Sequence, residues 1–222
     1  MMSGRHAQRD ELKRPTNNPL SFKTRRAPRL PFSPPGWALN SLAATVFNRL
    51  YSSRQTRKSA PFLADFDSFF YPLDALANWN TIYGEPGFVQ HQCVLPSSEA
   101  VTGFRLMLEA LAASNLPSFL TVLKRFGAEG SGLLSFPMAG YTLSLDFAMR
   151  GRPLFDLLKK LDDLVLRHGG RIYLAKDACL DAETFRAMYP RYRDWQEIKA
   201  RVDPANRFRS ALSERLGITP AK

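Results

Sequence analysis

"GFVQHQCVLP", residues 87–96, is the stretch on which the reading of the fold turns. Alternation along it puts Val89, His91, Cys93 and Leu95 on one face of a strand. Phe88, Gln90, Gln92 and Val94 fall on the other, and Pro96 closes the run. Two glutamines thus share a face in the middle of an otherwise apolar strand. A buried amide needs hydrogen-bond partners. Two readings stay open: a polar pocket wall, or the solvent face of an antiparallel sheet.

The chain on the C-terminal side repeats this texture. "SSEAVTGFRLMLEALAASN", 97–115, predicts a helix capped by Ser97 or Ser98, with Glu99 in its first turn. Ala100, Val101, Phe104, Leu108 and Leu111 would form its apolar stripe. "SFLTVLKRFG", 118–127, predicts a strand in which Lys124 shares a face with Leu120, Val122 and Phe126. A lysine on such a face either snorkels to the rim or lines a pocket. After a loop at 127–132, the strand from Tyr141 to Met149 sets Thr142, Ser144 and Asp146 on one face. Tyr141, Leu143, Leu145 and Phe147 occupy the opposite one.

"RPLFDLLKKLDDLVLRHGG", 152–170, predicts a helix with Pro153 in its first turn and Gly169 as its stop. Its buried stripe is Leu154, Leu157, Leu158, Leu161, Leu164 and Val165. In "GGRIYLAKDA", 169–178, Ile172, Tyr173 and Leu174 read as a short apolar strand that runs into Lys176 and Asp177. Those two are either an exposed pair, or the lysine points into a site. The tail reads as helical pieces broken at Pro190 and Pro204, with a last short helix over 209–216.

The order is strand, helix, strand, strand, helix, strand. The helix-bearing connections could make parallel pairs, whereas the tight link between the middle strands suits an antiparallel pair. The predicted fold class is α+β: a mostly antiparallel sheet with helices on one face.

N-terminal to this body the composition changes. Residues 1–60 hold twelve Lys/Arg against two Asp/Glu, and residues 61–222 hold nineteen against eighteen. The overall charge of +11 therefore belongs to a basic arm. Six prolines between Pro15 and Pro35 block long helices there, and a short helix is predicted over 38–51. Another is predicted over 75–84. A basic arm can bind nucleic acid or an anionic membrane surface. Its charges lie among Pro, Asn and Ser rather than along one helix face, which argues against nucleic acid and for a solvated or partner-covered segment. The first residues show no apolar core of a secretory signal, and no run reaches the length of a membrane span. Two distant cysteines and three scattered histidines argue against a disulfide framework and a metal cluster. No glycine-rich nucleotide loop or nucleophile elbow is present.

The residues also carry a resemblance. The blocks are "FFYPLD" (69–74), "WN" (79–80), "YG" (83–84), the opening stretch, "LKRFG" (123–127), "LSFPMAGYTLSLDF" (134–147), "GGRIYLAKDA", "MYPR" (188–191) and "VDP" (202–204), then Phe208. In order and spacing they resemble the flavin-dependent sugar oxidases of the vanillyl-alcohol-oxidase superfamily, which include aldonolactone oxidases and polyprenyl-phosphate-ribose oxidases. The likeness covers about residues 61–218. It implies three segments: a basic, Pro-rich arm (1–60), a substrate or cap domain (61–170), and a C-terminal segment (171–222) that packs against an FAD-binding domain. That FAD-binding domain lies outside this sequence, in cis or on a second chain.

The activity implied is hydride transfer from a sugar carbon bearing a hydroxyl to the flavin of FAD, with little activity by this chain alone. A non-catalytic binding subunit or remnant is the alternative. The substrate implied is a sugar or a lipid-linked sugar, and the location is cytoplasmic or peripheral to the inner membrane. By the resemblance, Lys176 is the lysine beside flavin and sugar hydroxyl, and Tyr173 contacts the flavin. Gln92, and with it Gln90, faces substrate and ring. Lys124 and Phe126 line the pocket beyond the flavin. Thr142 and Ser144 stand where polyprenyl-phosphate-ribose oxidases have an asparagine and a reactive cysteine, and Phe70 where they have a tyrosine. Thiol-directed chemistry at that spot is therefore not expected.

Overall fold

A computed structural model describes residues 77–220 continuously, together with 5–12, 28–29 and separate residues between 42 and 69. Phe70 and most of the 1–60 arm lie outside the described residues, although Leu42, Thr45, Val46, Arg49, Leu50, Ser52 and Ser53 within or just beyond the predicted arm helix are helical.

Four strands and two long helices make the body. β1 (Phe88–Pro96) leads into α1 (Ala100–Ser114), then β2 (Ser118–Phe126) and β3 (Gly140–Ala148). α2 (Arg152–Arg167) and the two-residue β4 (Arg171–Ile172) follow. The sheet order is β2-β3-β1-β4. Every neighbouring pair is antiparallel. The helix-bearing connections therefore do not make adjacent parallel pairs. Each skips one strand position, and the skipped position is filled by a strand running the other way. This is the split βαβ arrangement.

Period-two alternation decides which side chains enter the core. Cys93 and Leu95 of β1 and Leu143, Leu145 and Phe147 of β3 are buried against the helices. α2 buries Leu154, Leu157, Leu158, Leu161 and Val165 at the predicted spacing, with Pro153 in its first turn. The stripe of α1 differs from the predicted one: Ala100, Gly103, Phe104, Met107 and Ala110 are buried, while Val101 is 83% exposed and Leu108 47% exposed. Gly103 explains the shift. A Cβ there would lie 2.4 Å from Leu95 Cδ1, so the missing side chain lets α1 settle onto β1. Neither Ser97 nor Ser98 caps the helix; Glu99 is the N-cap residue, and its carboxylate meets His168 Nδ1 at 2.8 Å.

One polar pair crosses this core. His91 Nε2 lies 2.9 Å from Asp162 Oδ1, with both side chains almost fully buried. The pair joins β1 to α2, and Cys179 Sγ approaches the other carboxylate oxygen at 3.8 Å.

After β4 the chain makes a 3-10 turn at Leu174–Lys176. α3 (Ala182–Met188), α4 (Tyr192–Val202) and α5 (Ala211–Arg215) follow. Asp181 caps α3 by accepting the N–H groups of Glu183 and Thr184. Leu180, Phe185, Met188, Tyr189, Tyr192 and Leu216 join the same core as the sheet. Upstream of β1, the helix predicted over 75–84 is a 3-10 turn at Trp79–Tyr83. No helix among the described residues is long and apolar enough to cross a membrane.

Candidate active site on the polar sheet face

The face of the sheet turned away from α1 and α2 is built by the even-numbered residues of β1 and β3. The register sets Gln90 opposite Asp146, Gln92 opposite Ser144 and Val94 opposite Thr142. β2 extends this face with Leu120, Val122 and Lys124, which pair with Asp146, Ser144 and Thr142. Gln92, Thr142, Ser144 and Asp146 are buried. The two glutamines therefore do not line an open solvent face.

Each amide has a partner. Gln92 Nε2 donates to Thr142 Oγ1 at 3.0 Å, and Gln90 Nε2 donates to Asp146 Oδ1 at 2.9 Å. The backbone N–H of Asp146 donates to Ser118 Oγ at 3.1 Å. Asp146 Oδ2 has no hydrogen-bond partner among the described residues. Burial pushes the Asp146 carboxyl above its ordinary range, while the Gln90 hydrogen bond and the Lys176 charge pull it back.

Lys176 arrives by a turn rather than by the predicted strand. Only Arg171 and Ile172 pair with β1 as strand residues. Tyr173 N–H still donates to the Gln92 carbonyl at 2.8 Å, and then Lys176 N–H closes back on the Tyr173 carbonyl at 2.8 Å. The turn swings the ammonium onto the polar face, where Nζ lies 3.5 Å from Ser144 Oγ.

Asp177 goes elsewhere. Its side chain is 2% exposed and pairs with Arg215 of α5 at 2.8 Å. It also accepts the N–H groups of Cys179 and Leu180. Arg215 adds a hydrogen bond to the Leu180 carbonyl. Lys176 and Asp177 are thus not an exposed pair.

Aromatic rings bound the face. Tyr173 stacks on Phe136 with centroids 4.6 Å apart, and Phe126 meets Phe136 edge-on at 5.8 Å. Tyr83 stacks on Phe88 at 4.5 Å, and burial, with the nearby Asp146 charge, pushes its phenol upward. Lys124 is exposed on the edge strand β2.

The sequence-based residues Gln90, Gln92, Thr142, Ser144, Lys176 and Tyr173 are brought to one region, with Phe126 reaching it through Phe136. Asp146, Phe136 and Tyr83 were not among them. The polar alternation Thr142, Ser144, Asp146 carried the signal for Asp146, whereas Phe136 lies in an irregular segment whose spacing gives none. Among the described residues no group of three or more His, Cys, Asp or Glu side chains could hold a metal ion.

Fold and site together define an α+β domain of the split βαβ type whose sheet face turned away from the two long helices is polar and carries a lysine. It belongs to the D-arabinono-1,4-lactone oxidase family, which matches residues 96–216. A decaprenylphosphoryl-beta-D-ribose oxidase of Mycolicibacterium smegmatis is 37% identical over 202 residues, 90% of this chain and 43% of that protein. An uncharacterized protein from the mprA 5′ region of Streptomyces coelicolor is 45% identical over 97 residues, 44% of this chain and 26% of that protein. The chain thus spans less than half the length of either relative.

Proposed function

We propose that the chain forms the substrate-facing half of an FAD-dependent oxidoreductase that oxidises a sugar hydroxyl. The substrate is of the aldonolactone or polyprenyl-phosphate-ribose class. The observation that carries this reading is the Lys176 ammonium set on a shielded face of hydrogen-bonding groups, beside Ser144, whose strand neighbours include the hydrogen-bonded Gln92 and Thr142. The family match and the 37% identical relative support the same class.

The residues fit the ring end of a flavin. A cation, an amide and an aromatic side chain, Lys176, Gln92 and Tyr173, are brought together on one face, and a flavin ring takes just such a set of charge, hydrogen-bond donor and stacking partner. Lys176, Gln92 and Tyr173 would hold the ring. When bound, the flavin supplies the two-electron acceptor for oxidation of the carbinol carbon. Lys176 supplies fixed positive charge where negative charge develops, in a site with little water to screen it. Gln92 is held in place by Thr142, so it presents its amide without reorganising. Phe126 and Lys124 extend the face toward the remainder of the substrate, with Gln90, Thr142 and Ser144 shaping its floor.

Most FAD affinity belongs to an FAD-binding domain, in cis or in trans. The segment after residue 171 supplies a surface for it: Ile198, Val202 and Phe208 are 43%, 70% and 81% exposed. Apolar surface left in this way favours association.

The test is flavin loading. The chain is purified alone and together with an FAD-binding domain of the family, and its visible absorbance is read before and after adding D-arabinono-1,4-lactone or a polyprenyl-phosphoryl ribose. Flavin retained in the combined sample and bleached by one of these sugars supports the reading. A combined sample without flavin contradicts it and favours a non-catalytic binding role.

A further inference from the structure

We infer that Asp146 is the acceptor for the hydroxyl group that is oxidised: its unpartnered carboxylate oxygen takes the hydroxyl's hydrogen bond and then its proton. The inference rests on the functional reading above and adds to it a residue and a step.

A buried carboxylate oxygen without a donor is costly, because desolvation is not offset. Among the described residues two buried side-chain atoms stand in that condition, His91 Nδ1 and Asp146 Oδ2. His91 lies on the helix side of the sheet, inside the core. Asp146 lies on the polar face that also carries Lys176, buried there and within reach of the lysine's charge. Its other oxygen is occupied by Gln90 and its backbone by Ser118, so the carboxylate is held in one orientation. The missing partner is a donor, and a neutral one suits a face that already carries a cation. A sugar hydroxyl has that chemistry.

The proton step balances on this chain's own atoms. The O–H bond of the sugar breaks, a new O–H bond forms on Asp146 Oδ2, and the electron pair stays on the sugar oxygen. Lys176, from the turn after β4, faces the negative charge that results. The other ionisable group toward Asp146 is the Tyr83 phenol, from the 3-10 turn before β1; on β2 the residue opposite Asp146 is Leu120, and Lys124 lies further along, opposite Thr142. Asp146 serves as base only while ionised, so flavin reduction falls on the acid side of its titration.

The test uses the chain assembled with its FAD-binding domain, and whichever of the lactone and the polyprenyl-phosphoryl ribose bleaches the flavin. Binding of that sugar, and of its analogue with hydrogen in place of the oxidised hydroxyl, is measured by calorimetry. Asp146→Asn keeps the shape and a partner for Gln90. It is expected to weaken the sugar about tenfold and leave the analogue unchanged. It also slows flavin reduction about a hundredfold and removes the acid limb of the pH profile. Asp146→Glu is expected to restore that limb. If Asp146→Asn weakens both ligands alike, or neither, and keeps the acid limb, the inference is overturned while the flavin reading stands. A wild-type assembly that binds no flavin overturns both.

Discussion

Asp177 and Arg215 form an ion pair, 2.8 Å from carboxylate to guanidinium, that ties the turn carrying Lys176 to the last helix. Asp177 is almost fully buried, so removal of its partner leaves a charge held by two backbone N–H groups alone. Arg215→Ala is expected to cost about 2 kcal/mol of stability, and Arg215→Lys less. Urea unfolding of the two variants against the parent measures this.

The His91–Asp162 contact joins strand to helix on the side of the sheet away from the polar face. Either single truncation to Ala strands a buried polar partner and is expected to cost about 3 kcal/mol. The double truncation is expected to cost less than the sum, because the second removes a group that no longer has a partner. A double-mutant cycle by urea denaturation reads the coupling.

Cys93 is fully buried in the core, and burial pushes its thiol up to about 12. Burial first, and then the Asp162 and Asp177 carboxylates, push Cys179 up to about 12 as well. Neither forms thiolate at neutral pH, and neither stands on the polar face. The folded chain is expected to react with a disulfide reagent at a small fraction of the unfolded rate, with two thiols released on denaturation. A fast-reacting thiol in the native protein would contradict this.

Asp203 is held down to about 2 by the Lys199 side chain and then by the N–H groups of Arg207 and Phe208. A depressed carboxyl adds stability above its unfolded value, near 4, and loses it as pH falls toward the folded value. Asp203→Asn is therefore expected to lower stability at neutral pH and to flatten its fall between about pH 4 and pH 2. Urea midpoints across that range show the effect.

Much of this fold was legible because period two is strong in β1 and β3. Gln90 and Gln92, and likewise Thr142, Ser144 and Asp146, fell on common faces from alternation alone. That the two sets face each other required the register, which single-strand patterns do not contain. The lysine's route was misread because Ile172, Tyr173 and Leu174 are good strand residues, yet β1 offers pairing only to the first of them and hydrogen-bonds the second before the chain turns. The α1 stripe was misplaced because Gly103 scores as neither apolar nor polar, although its lack of a side chain is what seats the helix. The His91–Asp162 contact had no signal in local spacing, because the two residues lie 71 positions apart. The flavin came into view only through resemblance, and no spacing within this chain encodes it.

The most direct test of the central claim is anaerobic flavin reduction in the assembled protein, wild type against Lys176→Met. Methionine keeps the length of the side chain and removes its charge. Equal flavin loading with reduction slowed about a hundredfold or more is the expected result. Reduction at the wild-type rate would contradict a site centred on Lys176.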